Sequence, residues 1–388
     1  MKIILFLVTF LLFSSTAHLF AQSSNYDSLV TAGINQIYGI KFSEAEITFK
    51  KLLVDYPNHP AGRFFPAMIY WWKILLDTSN EQYDEIFYER IDDVIEFCDK
   101  ILEEKPDDVD ALFFKGGAIG FRGRLRVIRE SWLKAAGDGR DALPIVEKAA
   151  RLDPNNVDVQ LGFGIYNYYA SVMPEEYPIV KPLMLFFPEG NKELGIKQLE
   201  NAAENGKYAK IEARYFLMSL YSNYEKDNET AQFYSDQLTN AFPNNPIFER
   251  WRGRIAVKRS DWTTADSIFR NVLKKGEKNF PGYTTIKVKR EAVYYIAYQY
   301  KNNGEYNSAL KYFKKCADYC RKLDEDEESG FLINSTLYIG TLYETLGKYK
   351  EAEKFYNDVL DMREYANSHT LAELYLDRIE QITNQNKK

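Results

Sequence analysis

Two stretches near the C-terminus carry the same order of small and aromatic residues, and that repetition restricts the chain more than any other feature of its sequence. Between Ile333 and Tyr365, the residues Ile339, Gly340 and Tyr343 stand at helical spacing, a break follows at Leu346-Gly347-Lys348-Tyr349, and Ala352, Tyr356 and Val359 resume the spacing. Arg290 to Leu323 repeat the arrangement: Ile296, Ala297 and Tyr300 precede Asn303-Gly304-Glu305-Tyr306, and Ala309, Phe313 and Cys316 follow. Apolar residues in steps of three and four mark one buried face of a helix, and glycine in a short polar break ends it. A pair of short helices cannot bury its apolar face alone, so neighbouring copies must stack and share a core.

Weaker copies continue the pattern toward the N-terminus. Trp262, Ala265, Phe269 and Val272 carry it in 246–276, Ala231, Leu238 and Pro243 in 212–245, and Phe42, Ala45, Phe49, Leu52 and Pro57 form a second helix in the first copy. Copies near 60–106 and 107–154 have longer helices or inserts. Asp-Pro-Asn-Asn at 153–156 and Pro-Asn-Asn-Pro at 243–246 read as turns in which Asn caps the next helix and Pro fits its first turn. Gly117, Gly195 and Gly340 read as places where helices approach closely. Leu371, Leu374, Leu376 and Ile379 share one side of 368–382, a capping helix for the exposed end of the stack.

These offsets resemble the tetratricopeptide repeat, a helix–turn–helix unit of ~34 residues. The fold expected is all-α, a right-handed α-solenoid of about eight such helix pairs with a C-terminal capping helix. Its divisions are 1–21 as a signal peptide, 22–206 as divergent repeats with an insert at 171–191, and 207–388 as the more regular repeats. The resemblance implies a scaffold that holds an extended or helical peptide in a concave groove, with specificity set by the first helix of each pair.

The leader rests on residues 1–21: Lys2, then an apolar run from Ile3 to Phe13 interrupted by Thr9, then Ser14-Ser15-Thr16, with no acidic residue before Asp27. The run is short of the ~20 apolar residues that span a membrane and reads as an export signal. Cleavage follows Ala17 or Ala21, and Ala21 is favoured. The expected location is therefore exported, periplasmic or associated with the cell envelope.

The 388 residues hold 50 Lys+Arg against 56 Asp+Glu, a net charge of -6 that argues against a general nucleic-acid binder. Three cysteines make no disulfide framework, and Cys98, Cys316 and Cys320 read as buried free thiols. With three histidines, one of them in the leader, neither a metal site nor a cofactor is expected. No GxxxxGK[ST], HExxH or GxSxG occurs, so no enzymatic activity is expected.

Two segments depart from the repeat. Ser171 to Asn191 holds four prolines and cannot be one helix; its run Leu183 to Phe187 either plugs the stack or touches a membrane interface. Around it, Gly162, Gly164, Tyr166, Asn167, Ser171 and Pro174, then Gly190-Asn191-Lys192-Glu193-Leu194-Gly195 and Leu199, resemble the central segment of the eukaryotic inclusion-body-clearance family of tetratricopeptide proteins. That resemblance implies an adaptor or structural role. The second segment, 122–134, alternates Arg122, Arg124, Arg126 and Arg129 before Trp132 and Lys134. It reads as a helix face paired with acids of a neighbouring repeat, or as an anion or glycan contact.

The functional expectation is an exported scaffold binding a protein or peptide in its groove. The alternative is a peripheral envelope protein that meets lipid or cell-wall glycan through 172–189 or 122–134. For the groove, Tyr294 and Tyr298 stand one residue beyond the core positions Val293 and Ala297, with Asn302 a turn further, and Arg250 and Arg254 hold the equivalent place one repeat earlier. Arginine beside tyrosine offers two parallel hydrogen bonds to a carboxylate and flat apolar area, which fits an acidic peptide or a chain end. The same arginines equally fit pairing with a neighbouring repeat. N-terminal sequencing of the purified protein should find Gln22 first; a retained Met1 would overturn the cleaved leader.

Overall fold

A computed structural model describes residues 25–178, 181–184, 187–325 and 327–385. The leader and its cleavage site lie outside the described residues, as do the side chains of 183–186. Among the described residues every regular element is helical.

The chain forms two compact units that divide after Pro243. The first contains α1 (25–38), α2 (Phe42–Asp55), α3 (Ala61–Leu76), α4 (Asp84–Glu104), α5 (Val109–Ile128), α6 (Trp132–Leu152), α7 (Val159–Glu176), the short α8 (Lys181–Met184), α9 (Lys192–Asn205), α10 (Lys210–Asn223) and α11 (Asn228–Ala241). The second contains α12 (Pro246–Lys258), α13 (Trp262–Glu277), α14 (Ile286–Asn302), α15 (Tyr306–Cys320), α16 (Gly330–Thr345), α17 (Tyr349–Leu360) and α18 (Ser368–Gln385). Apart from α8, these make five helix pairs in the first unit and three pairs with a capping helix in the second. The change of repeat character read at 206 falls between α9 and α10, inside the first unit.

One contact recurs within the pairs. A small residue on the first helix meets a ring sixteen residues later on the second: Gly33 with Phe49, Gly253 with Phe269, and Gly340 with Tyr356. A methyl group added at these glycines would lie 2.3, 2.7 and 2.6 Å from the ring, so no larger residue fits without moving a helix. Ala297 and Phe313 hold the corresponding places in α14 and α15 and share one buried cluster. All four rings are fully buried, each worth roughly 1.5–3 kcal/mol in area removed from water.

Caps and turns follow the sequence. Asp108, Asn191, Asp227, Asp261, Thr285 and Ser329 each accept a backbone amide at a helix start. Asn245 does the same for Ile247 and Phe248 at 2.9 and 3.2 Å, ahead of Pro246 at the first position of α12. In 153–156 the result differs: Asn156 accepts the amide of Asp158 at 3.2 Å in a local turn and does not cap α7. Gly304 and Gly347 turn the chain between helices with φ of +76° and +72°, where a side chain would be strained.

Three readings change. The proline-rich segment begins inside a helix, because α7 runs through Pro174 and ends at Glu176; Pro174 has no amide to give the Ala170 carbonyl, and the helix stops two residues later. Gly190 then brings the chain back against α7, its added methyl falling 2.5 Å from the Asn167 carbonyl. Gly117 is no site of close approach, since its nearest neighbour, the Phe64 ring, would be at an ordinary 3.7 Å, whereas Gly195 would clash with the Tyr168 amide at 2.6 Å. In α18, Ala372 and Ile379 are buried with Leu371, Tyr375 and Leu376 packed beside them, while Leu374 is 58% exposed. At 100° per residue Leu374 falls off that face.

All three cysteines are buried and free, and burial pushes the Cys98 thiol up to about 12. Replacing Ala309 or Ala352 with Trp should unfold or strongly destabilise the second unit, because both are fully buried between helices. Overpacking there costs ~1–3 kcal/mol or more, and an unchanged melting temperature in both variants would refute the packing register.

Candidate functional site

The residues singled out for the groove lie on α12 and α14, and a carboxylate that sequence reasoning passed over organises them. Glu291, on α14, is almost completely buried. Arg250 Nε lies 2.5 Å from one of its oxygens, and Arg254 Nε bonds the other. The two guanidinium groups, a turn apart on α12, therefore clamp α14 to α12. Of the two uses open to these arginines in the sequence, pairing between repeats is realised. Burial alone would raise the Glu291 carboxyl, but the charges of Arg250 and Arg254 outweigh it and hold the group below the usual carboxylate range. The signal for Glu291 was its place immediately before Ala292 and Val293, an acid leading into core positions.

Tyr294 and Tyr298 point along the same face with different surroundings. Tyr294 is half-buried, edge-on to Phe331 on α16 with centroids 5.0 Å apart, and to Phe313 at 5.9 Å. Burial pushes its hydroxyl far above the usual tyrosine range. It belongs to the packing between repeats. Tyr298 stacks flat on Trp262 at 4.4 Å and meets Tyr338 edge-on at 5.5 Å. Lys301 Nζ lies 5.3 and 5.2 Å from the centres of the Tyr298 and Tyr338 rings, a cation over an aromatic platform. Asn302 is exposed at the end of α14. Trp262, Lys301 and Tyr338 thus join the site, and helical spacing alone had read Trp262 as a core residue.

The same helices concentrate positive charge. Arg254 keeps about a third of its side chain exposed, at 34%. Four residues on, the ammonium of Lys258 is held below its usual range by partial burial and by the charge of Arg254.

The arginine-rich segment of the first unit is occupied by acids. Arg122 reaches Asp138 on α6 at 2.8 Å and Asp92 on α4 at 2.7 Å, Arg126 lies 2.7 Å from Asp138, and Arg129 contacts Asp84 on α4 at 2.5 Å. Arg124 turns the other way and meets Glu212 on α10 at 2.7 Å. Trp132 stands 51% exposed at the start of α6. Among the described residues no group of three or more His, Cys, Asp or Glu side chains could hold a metal ion.

Stacked helix pairs, joined by small-to-ring contacts and carrying charged and aromatic residues on their first helices, define an α-helical repeat protein. Residues 290–364 match the family model of the tetratricopeptide repeat, so the stretch from α14 through α17 consists of tetratricopeptide repeats. No curated protein matches the chain. Among solved structures, the type IV pilus biogenesis factor PilW is 15% identical, with 65% of this chain and 96% of that one covered and a TM-score of 0.41. A tetratricopeptide repeat protein from Parabacteroides merdae is 13% identical over 79% and 98% of the two chains, with a TM-score of 0.37. Human IFIT1, solved as a dimer with PPP-AAAA, is 13% identical over 83% and 69%, with a TM-score of 0.35. At these values no partner or activity transfers from them.

The clamp gives the second unit an acid limit. Because the folded-state pKa of Glu291 is depressed, its contribution is fully present above the unfolded value of ~4.3 and is lost as pH falls through the lower native value. Glu291→Gln should destabilise the protein at neutral pH by about 3 kcal/mol, the cost of leaving partly buried guanidiniums without their carboxylate. Its melting temperature should also fall less steeply on acidification than the parent's. Parallel pH profiles in the two proteins would refute the role of Glu291.

Proposed function

We propose that the chain is an exported scaffold that holds an acidic peptide against the first helices of its second unit. Tetratricopeptide repeats generally serve protein–protein interaction and are generally non-catalytic, and the matched stretch covers most of α14 and all of α16. The observation that carries the finer reading is the combination of Arg254, partly exposed beside Lys258, with Lys301 poised over the Tyr298 and Tyr338 rings. Like charges held together favour an incoming carboxylate, and flat rings supply contact area at low conformational cost. Asn302 at the exposed end of α14 adds a neutral donor and acceptor. Arg250 serves this face indirectly, by sharing Glu291 with Arg254 and fixing its position.

Export is supported by the leader pattern in 1–21. No helix among the described residues is long and apolar enough to cross a membrane. In this reading the segment 122–134 is not the partner contact, since Arg122, Arg126 and Arg129 hold α4 and α6 in place.

A fluorescently labelled oligoglutamate peptide tests the site. The parent should bind it with an affinity that falls as salt rises, and oligolysine of the same length should not bind. Arg254→Gln should weaken binding about tenfold, ~1.4 kcal/mol, with a shallower salt dependence and a melting temperature near the parent's, because Arg250 still holds Glu291. Reversing both arginines to Glu is the poorer test, since it would set three carboxylates together. Equal binding by parent and Arg254→Gln would exclude this face.

A further inference from the structure

The first unit encloses a cavity of about 310 Å³ among α1, α3, α5, α6, α7 and α10. Protein interiors ordinarily leave few voids larger than a water molecule, and this volume falls at the lower end of ligand sites, roughly 300–1,000 Å³. Gly116 on α5 packs tightly against Val146, but three further glycines border the cavity without doing so: Gly117 and Gly120 in the middle of α5, and Gly162 in the first turn of α7. Close packing requires none of them. A methyl group at Gly117 would lie 3.7 Å from Phe64, one at Gly162 would lie 3.8 Å from Val146, and one at Gly120 would meet nothing within 4 Å. None has a positive φ. Glycine inside a helix is less stable than alanine, so the chain gives up helix stability where the missing side chains leave the cavity open.

The charged groups on the wall already serve one another. Arg124 donates to Glu212 at 2.7 Å, Tyr38 donates to the other Glu212 oxygen at 3.1 Å, and one oxygen of Asp158 accepts the amides of Tyr208 and Ala209, both at 2.9 Å. A charged ligand group entering the cavity would have to break one of these bonds, whereas a hydrocarbon would not. The rings on the wall are tilted against each other: Phe64 and Phe114 by 59°, Phe113 and Phe114 by 74°, Phe65 and Phe114 by 82°. They leave no flat slot for a planar aromatic molecule and suit a bending chain. Gly139 and Gly162, both on the wall, are exposed, so the cavity reaches the surface on the side of α6 and α7.

We infer that this cavity binds the hydrocarbon chain of an uncharged aliphatic molecule, with any polar end left at the exposed rim beside Gly139 and Gly162. The site is separate from the peptide face of the second unit, and either can fail without the other.

Decanol titrated into the full chain by calorimetry tests the inference. The parent should bind it and gain in melting temperature. Gly120→Leu, whose side chain enters the cavity, should bind at least tenfold more weakly while melting no lower than the parent without ligand. If that variant does not fold, Gly120→Ala should still weaken binding severalfold. Uptake of monodecanoylglycerol as well as decanol would assign the acyl chain of a lipid, and uptake of decanol alone would assign a free aliphatic alcohol; both support the site. No binding by the parent up to the solubility limit, or equal binding by parent and Gly120 variants, would overturn it.

Discussion

The contact on which the structure depends is that between a small residue and a ring within a helix pair. Where Gly33, Gly253 or Gly340 gives up its side chain, the ring of Phe49, Phe269 or Tyr356 lies against the helix backbone. The distance between the helices of a pair is then set by the thickness of a ring. With the separation and rotation of each pair defined, the remaining apolar residues of both helices face the neighbouring pairs. Val288, Ala292 and Ile296 illustrate this, packing with Phe269 and Val272 of the preceding pair. Stability is therefore shared between pairs, as expected of repeats that cannot fold singly.

Electrostatics adds specificity to that packing. Glu291 is buried, and a lone carboxylate there would be costly; the two arginines of α12 compensate it and in doing so fix α14 against α12. Glu249 is treated likewise, receiving Lys275 at 2.8 Å, Asn271 at 2.6 Å and the hydroxyl of Tyr283 at 2.5 Å. Buried acids with several donors recur in the first unit, where Arg122 and Arg126 converge on Asp138. Such networks favour one alignment of helices over a slipped one, because a slip strands a charge.

Glycine serves two opposite purposes in this fold. Gly33 in the first unit, and Gly253 and Gly340 in the second, admit rings and leave no space. In the first unit, Gly117, Gly120 and Gly162 border open volume, and the closure of that volume depends on a long-range meeting: Glu212 of α10 joins Tyr38 of α1 and Arg124 of α5. Tyr208, just before α10, meets Tyr26 of α1 by a hydroxyl contact of 3.1 Å. The first helices of this unit thus surround a common interior.

The local pattern of the chain determined the helices, their pairing, the Asn245 cap and the capping element, because each depends on residues a few positions apart or on the period of a buried face. Ala309, Phe313, Ala352 and Tyr356 are core residues in the sequence and in the structure for that reason. Tertiary structure alone decided what the charged and glycine residues do. Arg250 and Arg254 read as open counter-charges or as pairing groups with equal justice until Glu291, some forty positions away, is placed between them. Gly117 and Gly340 look alike in sequence, yet one borders a cavity and the other holds a ring. A charge or a missing side chain has no fixed meaning along the chain, since its energy depends on what the fold brings within a few ångströms of it.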